Sequence, residues 1–207
     1  MVIASGNRSR EAEMQAGRAA TQDRIVETAD RLFYERGYDH TSFADIADEV
    51  GLSRGNFYYH FKTKDDILTA VIAHRSRKTQ QMLAAWADHA ADPAGRIRQF
   101  IGMMTMNAAR IRRHGCPVGT LCTELAKLEH PALPQASQLF TLFRQWLAQQ
   151  FAQLGYASEA DALAMHLLGR SQGIATLASA FNDEAYIQQE VAQLNQWLAQ
   201  LPPPSGK

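Results

Sequence analysis

The chain has 207 residues, 46% of them hydrophobic and 20% charged, and its 21 basic and 21 acidic side chains leave no net charge. That size and composition can bury a sizeable core, so disorder is expected only at the ends. The neutral total advertises no nucleic-acid partner, and any DNA contact has to be local.

Residues 1–20, MVIASGNRSREAEMQAGRAA, lack the apolar centre of a secretory signal and mix acids with arginines, which reads as a flexible polar arm and a cytoplasmic address. The longest apolar stretch, at 164–181, is broken by His166, Arg170, Ser171 and Gln172. It falls short of the roughly 18 unbroken apolar residues that a membrane span needs. The two cysteines, Cys116 and Cys122, make neither a disulfide framework nor a four-ligand zinc site, so no metal and no cofactor is expected.

Sustained alternation of β-branched residues is nearly absent, and Ala, Gln, Leu, Arg and Glu fill most segments, which predicts an all-α protein. A first helix is predicted over about 21–36, where Ile25, Ala29, Leu32 and Phe33 make one apolar stripe. Gly37 suits the left-handed position just past its end, with Tyr38 folding back on the last turn. A second helix starts after Thr41 or Ser42, either of which can cap it, and Phe43, Ile46, Ala47 and Val50 fall on one face. Gly51 ends it after two turns. Ser53 then caps a third short helix, with Leu52 and Phe57 at the staple positions that fix its entry angle.

Thr63-Lys-Asp-Asp66 offers a capping-box-like start to a long fourth helix. From about residue 64 to 201 the pattern stays helical. Roughly six helices are expected there, with breaks near Asp92-Pro93, His114-Gly115, His130-Pro131, Leu154-Gly155 and Asn182-Asp183. The final PPPSGK reads as a disordered tail, 202–207.

On periodicity alone, residues 21–61 read first as three short amphipathic helices of a bundle, the commoner fate of such patterns. Two details favour DNA binding. Two short helices joined by a tight turn containing Gly51 make a helix-turn-helix, the geometry that lifts one helix out to lie in a major groove. The helix so presented, RGNFYYH at 54–60, carries polar or hydrogen-bonding aromatic groups where a solvated structural helix would carry Glu and Lys.

The strings TxxRIxxTAxxLFxxRGY, TSFADIADEVGLSRGNFYYHF and KTKDDIL, over residues 21–70, resemble the N-terminal domain of the TetR family of bacterial transcriptional regulators. The resemblance covers roughly a quarter of the chain. It implies a three-helix DNA-binding domain at 21–65 followed by a larger helical domain, 66–201, that binds a small molecule and forms a homodimer. The expected activity is repression from a palindromic operator, relieved by that effector, with the fourth helix as the lever.

Residue roles follow from chemistry. Thr41 and Ser42 lie at a helix N-terminus that suits a phosphate, or are plain caps. Ser53 and Arg54 begin the presented helix, and Arg54 can reach a phosphate or a guanine edge. Gly55 permits close approach, and the Asn56 amide can pair with an adenine edge. Tyr58, Tyr59 and His60 suit phosphates or a thymine methyl, while Lys64 is an unspecific backbone cation. Phe57 and Phe61 read as core.

Phe100, Met103, Met104, Met106, Phe140, Phe143, Trp146 and Met165 are candidates to line an effector cavity, or they fill an ordinary core. Two further apolar stripes, Leu163 to Phe181 and Tyr186 to Leu201, serve a dimer interface or an intrachain core. Cys116, following His114-Gly115 near a helix start, opens an alternative: a redox or electrophile sensor on the same scaffold. Seven histidines and 21 carboxylates are scattered without a recognisable catalytic or phosphate-binding motif, so an enzyme is not expected.

Overall fold

The structure is a computed structural model describing residues 3–90 and 92–203, with side chains described from residue 14 onward, except at residue 89. Among the described residues it is helical throughout, with no strand. The chain divides into two compact units, Met1–His74 and Arg75–Lys207. The division therefore falls inside the fourth helix, later than the boundary expected after residue 65.

The first unit contains α1 (Ile3–Arg36), α2 (Phe43–Val50), α3 (Arg54–His60) and the start of α4 (Lys64–His89). Helix α1 begins well before residue 21, so the segment expected to be a flexible arm is, from Ile3 onward, the first half of a 34-residue helix. Its buried stripe is the expected one: Ile25, Ala29, Leu32 and Phe33 pack with Ile46, Ala47 and Val50 of α2, Phe57 of α3, and Ile67, Leu68 and Val71 of α4 in the core of this unit. Arg24 donates to the Val50 carbonyl at 2.6 Å, tying α1 to the end of α2. Gly37, at φ 93°, ends α1 in the left-handed region that favours glycine.

The second unit holds the rest of α4 and then α5 (Pro93–Met106), α6 (Ala108–His114), α7 (Pro117–Lys127), α8 (Leu133–Gln153), α9 (Ala160–Ala180) and α10 (Glu184–Ala199). Side-chain caps start several of these helices: Asp92 accepts from the Gly95 amide at 2.8 Å and Asp183 from the Tyr186 amide at 3.1 Å. Every break expected from the sequence is present. One more, at Asn107, separates α5 from α6, so seven helices follow residue 64 where about six were expected. The expected tail lies, from residue 204 onward, outside the described residues.

Candidate nucleic-acid interface

Local chemistry fixes each end of the short helices. Ser42, not Thr41, caps α2: its Oγ accepts from the Asp45 amide at 3.0 Å, and the Asp45 carboxylate accepts from the Ser42 amide at 2.8 Å, closing a capping box. The Ser42 hydroxyl, donating to the same carboxylate at 2.7 Å, and then the Ser42 amide hold the Asp45 carboxyl below the ordinary 3.8. Gly51, at φ 72°, turns the chain out of α2. Ser53 then caps α3, accepting from the Asn56 amide at 3.4 Å. The box expected at the start of α4 also closes, with the Asp66 amide donating to Thr63 Oγ1 at 3.0 Å and the Thr63 amide to Asp66 Oδ2 at 2.9 Å.

This frame sorts α3 into two faces. Phe57 is fully buried and meets the Phe43 ring edge-on, with centroids 4.7 Å apart. Ser53, Arg54, Gly55 and Asn56 are exposed, and a Cβ placed on Gly55 would meet nothing within 4 Å. Tyr58 and Tyr59 are 49% and 56% exposed although both are large. The Tyr58 ring leans on Phe43 at 4.9 Å, and the Tyr59 ring stands edge-on to His60 at 5.4 Å. His60 is half-buried; burial first, then the Arg18 charge, holds its imidazole below the ordinary 6.5. A short helix with one buried aromatic and its hydrogen-bonding groups turned outward can read a groove without unfolding anything.

Two expected contacts change. Thr41 is not presented: its side chain is 0% exposed and its hydroxyl donates to the Gly37 carbonyl at 2.7 Å, so it secures the turn after α1. Lys64 is half-buried, donates to the Tyr38 carbonyl at 3.0 Å and lies 4.1 Å from the centre of the Tyr38 ring, so part of its donor capacity is used within the fold. Two cations were absent from the expected set. Lys62, exposed beside α3, donates to the Tyr58 carbonyl. The Arg18 guanidinium, in the part of α1 expected to be an arm, lies over the Tyr59 ring.

In the second unit the residues expected to line an effector cavity differ in burial. Phe100, Met104 and Phe143 are buried in the core; Met103, Phe140 and Trp146 pack against it partly buried, and Met106 is 73% exposed. Of the eight, Phe140 and Met165 line an open groove of about 300 Å³ between α8 and α9, while Met165 also borders a larger one between α9 and α10. Both cysteines are free. Cys116 is the N-cap of α7, its Sγ accepting from the Gly119 amide at 3.4 Å. Burial, reinforced by the neighbouring Cys116, pushes the Cys122 thiol up, and a thiol kept protonated is a poor nucleophile. Among the described residues no group of three or more His, Cys, Asp or Glu could hold a metal ion, and no helix is long and apolar enough to cross a membrane.

The all-helical fold and its outward-facing third helix define a helix-turn-helix DNA-binding protein. Residues 25–71 match the model of the bacterial regulatory proteins of the tetR family, and residues 93–193 match the C-terminal domain of LmrA/YxaF-like transcriptional regulators. The HTH-type transcriptional regulator in the lacX 3′ region of Lactococcus lactis is 29% identical over 136 residues, 65% of this chain and 69% of that one. The HTH-type transcriptional repressor Rv3405c of Mycobacterium tuberculosis is 34% identical over 109 residues, 53% of this chain and 55% of its own. A solved TetR transcriptional regulator from Chloroflexus aurantiacus has the same fold, with a TM-score of 0.78 over 89% of this chain and 97% of that one at 22% identity. The chain belongs to the TetR family of DNA-binding transcriptional regulators.

Proposed function

We propose that the chain is a cytoplasmic, homodimeric repressor that occupies a palindromic operator and leaves it when a small molecule binds the second unit. The observation that carries the DNA-binding part is the outer face of α3, where Arg54, Gly55, Asn56, Tyr58 and Tyr59 are exposed while Phe57 anchors the helix. Arg54 and Asn56 are assigned to base edges, each good bidentate pair contributing about 1–3 kcal/mol of discrimination. Ser42, Ser53, Tyr58, Tyr59, His60 and Lys64 are assigned to the phosphates that set register.

Pairing of two copies is supported by α9. Its apolar stripe runs out of cover towards the C-terminus: Leu167 and Ile174 are buried, but Leu177 is exposed and Phe181 is 76% exposed, with Met165, Gly169 and Gly173 also open. The same face of a second copy would cover these side chains, and the glycines let two helices approach closely. A two-fold dimer then repeats α3 at about 34–36 Å, the spacing of successive major-groove faces, which calls for a palindrome. The function is binding, not catalysis.

Repression is supported by the mycobacterial relative Rv3405c, a transcriptional repressor. Release requires an effector that prefers a conformation in which the two copies of α3 no longer match the groove spacing, since a ligand indifferent to the two states shifts nothing. Helix α4, with residues in both units, is the element through which that preference acts. Sedimentation of the protein with operator DNA tests the assembly: two chains should bind per palindrome. Phe181→Glu should yield a monomer that loses the full palindrome, and a variant that stays dimeric would refute this interface.

A further inference from the structure

The guanidinium of Arg18 sits 4.7 Å from the centre of the Tyr59 ring. Arg18 lies seven positions before the segment that matches the family model, which starts at residue 25. It is exposed, no described carboxylate pairs with it, and the ring beneath it is itself more than half exposed. A contact serving only to pack α1 on α3 would bury at least one of the two groups. Here both remain on the open face of α3. We propose that Arg18 is a DNA-phosphate contact supplied by the extended first half of α1, held in place for that task by the Tyr59 ring.

Three physical points support the assignment, which rests on the reading of α3 as the helix that meets DNA. A cation stacked on an aromatic face gives up part of its conformational freedom before any ligand arrives, so less is lost when it grips a phosphate. The arginine guanidinium carries five N–H donors, more than contact with one ring occupies, and those donors match phosphate oxygens. The C-terminal turn of α3 carries the negative end of its helix dipole, which repels phosphate. The guanidinium of Arg18, over the ring of Tyr59, lies beside that turn, and with Lys62 at the Tyr58 carbonyl it offsets the repulsion.

The test uses the full-length protein and fluorescence anisotropy against operator and scrambled duplexes over a range of salt. Arg18→Ala should weaken both duplexes a few-fold and lower the slope of log affinity against log salt by about 0.9, the amount for one phosphate contact. Arg18→Lys should keep the slope and lose part of the affinity. Tyr59→Leu, which removes the ring, should reproduce the lowered slope, and adding it to Arg18→Ala should lower the slope no further. A slope unchanged in Arg18→Ala would overturn the proposal, and a double variant whose slope losses simply add would overturn the role of Tyr59. Absence of salt-sensitive binding in the unaltered protein would instead bring down the reading of α3 itself. Unchanged thermal melting of Arg18→Ala, expected for an exposed side chain, separates a lost contact from a lost fold.

Discussion

Lys64 and Tyr38, 26 positions apart, are joined twice: the lysine Nζ donates to the Tyr38 carbonyl at 3.0 Å and the same nitrogen lies 4.1 Å from the centre of the Tyr38 ring. The Tyr38 hydroxyl in turn donates to the Asp65 carboxylate, so the start of α4 is fastened to the turn after α1. A cation–π contact contributes about 0.5–1 kcal/mol at an exposed site and more where, as at the buried Tyr38 ring, it is partly desolvated, and a hydrogen bond about 1 kcal/mol. Lys64→Ala should therefore lower the melting temperature by a few degrees as well as weaken DNA binding. If the lysine also holds a phosphate, operator and scrambled DNA should weaken alike and the salt slope should fall by about one. Reduced stability with an unaltered slope would leave Lys64 a purely structural tie.

Asn56 is exposed on α3, and only its backbone amide is engaged, by Ser53. Asn56→Ala should cost about 1–3 kcal/mol against the operator and much less against scrambled DNA, because an amide on an adenine edge adds discrimination and not charge. Comparing the two duplexes at one salt concentration checks this. Equal losses on both would place the side chain on the backbone instead.

Acid should loosen the starts of α2 and α4. The Asp45 and Asp66 carboxyls are held below the ordinary 3.8 chiefly by side-chain hydrogen bonds from Ser42 and Thr63. A carboxylate whose pKa is lowered on folding contributes stability that is fully present above its unfolded value and is lost as pH falls through the folded one. The gap in melting temperature between the unaltered protein and Asp66→Asn should thus be present at neutral pH and close below about pH 3.8. A gap that stays constant across that range would show that the charge of Asp66 does nothing for the cap.

Gly51 isolates the cost of backbone conformation. Its φ is 72°, yet a Cβ built on it would meet nothing within 4 Å. Gly51→Ala should destabilise by about 1–2 kcal/mol through the left-handed conformation alone, measurable by denaturant unfolding. Stability equal to the unaltered protein would mean that the turn relaxes freely, and α3 would then be held less firmly than its geometry suggests.

Much of the fold was legible because it is written in local signals. Gly37, Gly51, Ser53, Asp92-Pro93 and Asn182-Asp183 act within a few residues of themselves, and the structure uses each as expected. Asn107 was missed because it carries neither glycine nor proline; its amide donates to the Met103 carbonyl at 2.9 Å, a bond to its own helix that no residue pattern announces. The early start of α1 was missed because Ala, Glu, Arg and Met suit an exposed helix as well as a polar arm.

Where the site depends on distant contacts, the sequence falls silent. Thr41 and Ser42 are chemically alike, and only the burial of Thr41 decides which one can face DNA. Arg18 and Lys64 meet Tyr59 and Tyr38 across long stretches of chain. For the eight Met and aromatic candidates, helical spacing cannot separate a cavity wall from a filled core. The structure places Phe100, Met104 and Phe143 in the core.

On the function proposed above, α3 reads DNA through Arg54 and Asn56 while cations around it hold phosphates. Anisotropy titrations of the full-length protein against the DNA flanking its own gene, alongside a scrambled duplex of equal length, test it most directly. Tighter binding to one palindromic segment is expected, falling linearly in log affinity with log salt, with a collapse of the preference in the Arg54→Ala, Asn56→Ala double variant. Equal affinity for both duplexes, or a preference that survives the double variant, would contradict it.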